Sequence, residues 1–131
     1  MVKIQTGGQI KGKGQVYLVF LLSRYCELNQ HGYTMQLWGD IVLEHPELFP
    51  KLPKDAFALN WGYESDHHIY VQTKVFQKAG IPNYVCPGTS SWNSIAGRTD
   101  NMFNNIRNAA LSGLNNGVCG FLITDWGDNG H

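Results

Sequence analysis

The most constraining feature of this chain is a phase relation between tryptophans and short apolar runs. Met35-Gln36-Leu37 runs into Trp38-Gly39-Asp40, and Phe57-Ala58-Leu59-Asn60 runs into Trp61-Gly62-Tyr63-Glu64. Tyr84-Val85-Cys86 leads through Pro87 to Trp92, and Phe121-Leu122-Ile123 stops at Asp125-Trp126-Gly127-Asp128. Runs of this length, with β-branched and aromatic residues and a closing Gly, Pro or Asp, have the pattern of buried strands. Every tryptophan in the chain therefore falls at or just past the end of a candidate strand. The intervals are about 30 residues, the size of one strand–helix unit. Tryptophans placed for core packing alone have no reason to keep step with strand ends. An aromatic and acidic site at one end of a sheet is the expectation. The bland alternative for the last stretch is a strand followed by an Asp/Gly/Asn turn.

Between these runs the sequence reads as helices. Gln15 to Gln30 has a wide apolar face and ends at His31-Gly32. Glu44 to Leu48 is a short helix in a connection kept brief by Pro46, Pro50 and Pro53. A helix from about His67 to Ala79, capped by Ser65 or Asp66, stops at Gly80 and Pro82. Asp100 to Asn116 is the clearest of the four: Phe103, Ile106, Ala110 and Leu114 fall on one face and Gly117 closes it. The strands are Thr34 to Trp38, Ala56 to Asn60, Asn83 to Cys86 and Cys119 to Thr124. Helix–strand alternation repeated four times calls for a parallel sheet with its functional loops at the strand C-termini. Doubling four units from a chain of 131 residues comes close to the roughly 250 residues of a (β/α)8 barrel. The fold class is α/β, a parallel (β/α) half-barrel spanning residues 15–131 after an irregular lead-in, residues 1–14.

Composition excludes several classes. Ten basic residues balance ten acidic ones, so bulk charge gives no reason to expect a nucleic acid or an anionic membrane as partner. The longest apolar run, Val16 to Leu22, is too short to span a bilayer, and no signal-peptide pattern opens the chain. A cytoplasmic location is the expectation for the chain as it stands; a true N-terminus further upstream would leave it open. Cys26, Cys86 and Cys119 lack CxxC spacing, which points to buried thiols in a reducing compartment. Gly7, Gly12 and Lys13 match half of a phosphate-binding loop, but Gly14 stands where Ser or Thr must hold magnesium. Asp66-His67-His68 puts two histidines on different helix faces and lacks a third ligand. No metal and no cofactor are expected.

Two longer motifs carry a resemblance. PGTSSWNSIAGRTDN (Pro87 to Asn101) and TDWGDNGH (Thr124 to His131), with WGDI (Trp38 to Ile41) and WGYE (Trp61 to Glu64), resemble a bacterial branch of glycoside hydrolase family 20, the β-N-acetylhexosaminidases and their relatives. The likeness covers nearly everything from about Gln15 onward and corresponds to strands five to eight of the family's (β/α)8 barrel. It implies removal of terminal N-acetylhexosamine by a substrate-assisted route, an exception to the usual two-carboxylate scheme. The sugar's own acetamido oxygen attacks the anomeric carbon, and an Asp-Glu pair orients it and protonates the leaving oxygen.

By the same resemblance, Trp38 and Trp61 wall the acetamido pocket, Trp126 forms a sugar platform and Asp128 holds ring hydroxyls. Asp128 stands where the family has glutamate, and Tyr84 is not followed two residues later by aspartate. The catalytic pair belongs at the end of strand four, and no Asp-Glu dipeptide occurs in these residues. The catalytic acids are therefore expected upstream of Met1, and the chain alone is expected to be inactive.

The candidate substrate-binding residues are Trp38, Asp40, Trp61, Glu64, Trp92, Trp126 and Asp128. Aromatic faces stack on pyranose C–H faces, and carboxylates accept hydroxyl hydrogen bonds strongly. Trp38 and Trp61 also fit as large core residues, Trp92 as a loop residue, and Asp40 and Glu64 as solvated acids or helix caps. Arg98 and Asp100 fit a loop-to-helix pairing and a cap. Two functions follow. In one, the chain is the sugar-binding part of an exo-hexosaminidase whose partner is a missing N-terminal half-barrel. In the other, it is a stand-alone, non-catalytic half-barrel that binds carbohydrate or forms a homodimer. An upstream reading frame bearing an Asp-Glu pair separates them.

Overall fold

Four parallel strands form one sheet in sequence order: β1 (Gln36–Trp38), β2 (Phe57–Trp61), β3 (Asn83–Cys86) and β4 (Gly120–Phe121). The structure is a computed structural model and describes residues 12–128. The helices are α1 (Lys13–Gln30), α2 (Asp40–Glu44), α3 (Ile69–Lys78) and α4 (Thr99–Asn116), with a 3₁₀ segment at Pro46–Lys51. This is the α/β half-barrel expected: an all-parallel sheet with free edges at β1 and β4 and no closure among the described residues.

The core lies on one face of the sheet. Leu37 and Ala58 pack with Leu18 and Leu21 of α1 and Phe76 of α3. Val85 packs with Ile69 of α3 and Ala109 of α4. Because side chains alternate along a strand, the same register sends Trp38, Phe57, Trp61 and Tyr84 to the opposite face, and neither hydrophobic cluster includes them. There Phe57 and Tyr84 meet edge to face at 5.7 Å. A sheet with helices on one side only has the layout of a barrel wall.

Boundaries moved where side chains or prolines decide them. α1 begins at Lys13, two residues inside the expected lead-in, with Gly12 as its N-cap. A Cβ at Gly14 would lie 2.9 Å from the His45 ring, so the bare glycine lets this first turn pack closely. Gly7 of the half phosphate-loop pattern lies outside the described residues. The short helix runs over Asp40–Glu44 rather than Glu44–Leu48. Pro46 holds the preceding His45 out of helical geometry, at φ −127° and ψ 70°. β4 has only two fully paired residues, yet Cys119 N donates to Asn83 O, Leu122 N to Val85 O and Thr124 N to Pro87 O. The expected strand thus persists as backbone bonds through Thr124, which bridges Gly88.

The face of α4 that carries Phe103, Ile106, Ala110 and Leu114 is not its most buried one. Phe103 and Leu114 are 64% and 81% exposed, and the buried positions are Asn105, Ala109, Ser112, Gly113 and Asn116. The polar stripe turns inward because it meets backbone carbonyls of the β2–α3 connection, to which its asparagines donate. The apolar stripe flanks the free β4 edge, where Ala110, Leu114, Phe121 and Val85 border a shallow groove.

The cysteine expectation is also corrected. All three are free, but only Cys86 is buried, and burial pushes its thiol up to about 12. No helix among the described residues is long and apolar enough to cross a membrane.

Two parallel edges left free among the described residues, and an aromatic sheet face that carries no helix, are features that pair with other chains. The purified chain should therefore self-associate in a concentration-dependent way in multi-angle light scattering. A sharp monomer peak across the whole range, with cooperative unfolding, would contradict this.

Candidate functional site

The strand ends bring five aromatic rings into one connected group. Trp61, the last residue of β2, stacks on Tyr63 with centroids 5.1 Å apart and planes at 26°. Tyr63 meets Trp92 edge to face at 5.1 Å and 86°. Trp126 Nε1 donates to the Tyr63 hydroxyl at 2.8 Å, and the Trp126 ring lies 5.9 Å from that of Trp38. Trp38 ends one edge strand and Trp126 follows the other. Edge strands of a four-stranded sheet are separated by three steps of about 4.8 Å, roughly 14 Å in all. The Trp126 and Trp38 rings nevertheless meet across the mouth of the sheet.

These rings wall a cavity of about 610 Å³, also lined by Asp40, Asp128 and, from α1, Tyr17, Phe20 and Leu21. Its volume is within the range of small-molecule sites. Trp38 and Trp126 are 38% and 41% exposed, whereas Trp92 is 5% exposed and backs the wall from behind. Close packing in this backing requires Gly88: a Cβ there would come within 2.8 Å of Trp92, Thr124 and Tyr63. Asp40 sits in the first turn of α2, makes no side-chain capping bond there, and its charge reaches the wall. The Tyr17 phenol is raised above its ordinary value, first by burial and second by Asp40. Among the described residues the cavity lining contains two aspartates and no Lys, Arg or His.

All the sequence-predicted site residues line this cavity except Glu64. Glu64 accepts both Arg98 guanidinium bonds at 2.7 Å, a bidentate pair that holds its carboxyl below the ordinary value. It is a clasp between the β2 and β3 loops, which agrees with the pairing read for Arg98. Arg98 occupies the N-cap position of α4 without a side-chain capping bond, and Asp100 lies in the first turn. Neither Ser65 nor Asp66 caps α3, which starts at Ile69 with His68 at its N-cap. His67 Nε2 pairs with Gln72 Oε1 at 3.1 Å. No group of three or more His, Cys, Asp or Glu side chains gathers among the described residues. Tyr84 faces Phe57 within the sheet, away from the cavity.

Sequence reasoning missed the residues that hold the wall in place. Tyr63 connects three of the four tryptophans, directly or through its hydroxyl, and lies two positions past Trp61; attention to tryptophans alone concealed it. Asp125 Oδ1 accepts the Thr89 and Ser91 hydroxyls at 2.5 and 2.6 Å, tying the β3 loop to the segment that carries Trp126. Behind them stands a ladder of asparagines on α4. Asn101 donates to Tyr63 O and accepts from Ser65 N. Asn105 donates to Gly62 O and Glu64 O and accepts from Gly88 N. Asn108 donates to Ser65 O and His67 O, and Asn116 to Tyr70 O and Thr73 Oγ1. Asparagines at positions 101, 105, 108 and 116 share one helix face. That spacing was a signal available in the sequence.

Comparison with protein-family models, curated proteins and solved structures gave no match for the chain.

Proposed function

We propose that the cavity binds the terminal sugar of a β-N-acetylhexosaminide, as the sugar-binding part of a family 20 glycoside hydrolase. The observation that carries this reading is the fixed aromatic wall with aspartates at its edge. Trp126 is held by the Tyr63 hydroxyl and by the Asp125 ties, so its ring does not have to be ordered when a ligand arrives. Trp38 and Trp126 keep surface open to a pyranose C–H face, and Trp61 supplies the wall beside Tyr63. Asp40 and Asp128 accept ring hydroxyl bonds, which are stronger to a carboxylate than to a neutral oxygen. The acid pair that performs the chemistry belongs, on the resemblance, to a preceding strand. The unpaired cysteines, two of them exposed, suit a reducing cytoplasm. The uncovered sheet face favours a second reading, a non-catalytic half-barrel that binds carbohydrate and self-associates.

Trp126→Ala tests the platform in either case. The variant should bind methyl N-acetyl-β-glucosaminide about 2 kcal/mol more weakly, roughly a 30-fold rise in Kd, as for loss of a buried aromatic anchor. Glu64→Gln, which alters a residue outside the cavity, should leave Kd within about twofold. Calorimetric titration of the two variants decides: equal affinities for Trp126→Ala and the parent chain would remove Trp126 from the site.

A further inference from the structure

We propose that this cavity selects sugars by charge, accepting neutral and amine-bearing hexosamines and rejecting those that carry sulfate or carboxylate. The inference rests on the sugar reading and specifies its substrate class. Its basis is the lining: Asp40 and Asp128 stand among Trp38, Trp61, Tyr63 and Trp126, and among the described residues no Lys, Arg or His lines the cavity.

Arg98, a basic group on these loops, is bound at both of its Nη atoms by Glu64, outside the cavity. An anion entering here would lose its water shell without gaining a cation from the described lining, and would face two carboxylates across aromatic walls of low polarity. Like charges placed together in a partly desolvated site are strongly unfavourable. The exposed indole faces act in the same direction, because a π-face carries negative quadrupole and attracts ammonium. Specificity of this kind comes from a repulsive element as much as from an attractive one. The aspartates therefore have two functions: they accept hydroxyl bonds from the favoured sugar and exclude its anionic derivatives.

The test is tryptophan-fluorescence titration of the full chain at low and at high salt. The ligands are N-acetylglucosamine, its 3-sulfate and 6-sulfate, and glucosamine. At low salt both sulfates should bind at least about tenfold more weakly than the neutral sugar, and glucosamine more tightly than it. High salt should narrow both differences, because added ions screen the aspartates. The Asp40→Asn/Asp128→Asn double variant, with its fold checked by circular dichroism, should lose the discrimination against sulfate. If that pair does not fold, each single replacement should halve the effect on a logarithmic scale. Both sulfates binding within twofold of the neutral sugar would overturn the proposal, as would a discrimination indifferent to salt, which would mean steric exclusion. No response to any of the four ligands would overturn the sugar reading itself, and the inference with it.

Discussion

Asn105→Ala should cost about 4 kcal/mol of folding stability, more than any surface replacement on the same helix. Asn105 is fully buried, and its amide serves three backbone groups at once: Gly62 O and Glu64 O at 2.8 Å and Gly88 N at 3.0 Å. Truncation takes from the buried Gly62 O and Gly88 N the partner each has here, at about 1–3 kcal/mol for each buried orphan, while Glu64 O keeps the His67 N–H at 3.1 Å. Even the lower part of that range is a large share of a domain's net stability of about 5–15 kcal/mol. Asn105→Asp should also be costly, because a carboxylate cannot donate to the two carbonyls and would be charged in a buried position. Asn104→Ala is the control. Asn104 is exposed and bonds only within its own helix, to Asp100 O, so its loss should stay within about 0.5 kcal/mol. Urea unfolding followed by tryptophan fluorescence measures all three. Near-equal midpoints for Asn104→Ala and Asn105→Ala would show that the ladder does not hold the loops. The same replacement should reach the site, because Asn105 fixes the backbone on either side of Tyr63.

The second large effect concerns turnover. On the proposed reading, the 131-residue chain by itself should not hydrolyse an aryl N-acetyl-β-glucosaminide at an enzyme-like rate. Protonating the leaving oxygen needs an acid placed within about 3 Å of it, and that step is typically worth 10²–10⁴-fold. Orienting the acetamido nucleophile contributes further. The resemblance assigns both tasks to an Asp-Glu pair, and no such dipeptide occurs in these residues. Asp40 and Asp128 line the cavity, and the reading uses them to hold hydroxyls. Fusing before Met1 a half-barrel that bears the pair should restore turnover if the two parts dock along the free sheet edges. A chromogenic assay on the purified chain checks the claim. Clear turnover that Asp128→Asn abolishes would assign the acid to this cavity and overturn the division of labour.

Strand positions and helix existence were legible because each depends on local rules. β3 runs over Asn83–Cys86 as read, and α4 ends at Gly117 in the left-handed conformation. The tryptophan phase also located the cavity: Trp38, Trp61, Trp92 and Trp126 all line it. Glu64 lies apart from that lining for an equally physical reason. An acid beside Trp-Gly has the same local pattern whether it faces a ligand or an arginine 34 positions away.

By itself, then, the sequence determined the alternation of elements, the parallel sheet and the end of the sheet at which aromatic residues collect. Periodicity, turn residues and strand ends encode these within a few neighbouring positions. Only the tertiary structure decided which face of α4 is buried and which residues lock the site. The apolar stripe of Phe103 and Leu114 predicts an inward face wherever a neighbour covers it. At the free end of the sheet nothing among the described residues does, while the carbonyls of Gly62, Tyr63 and Glu64 lie on the other side and accept from Asn101 and Asn105. The buried Gly62 O and Gly88 N are satisfied by Asn105, and an apolar side chain there would leave both without that partner, so the asparagines turned inward. The same balance sets Tyr63 beneath the tryptophans, through backbone bonds to a helix some 40 residues away that no window of local sequence reports.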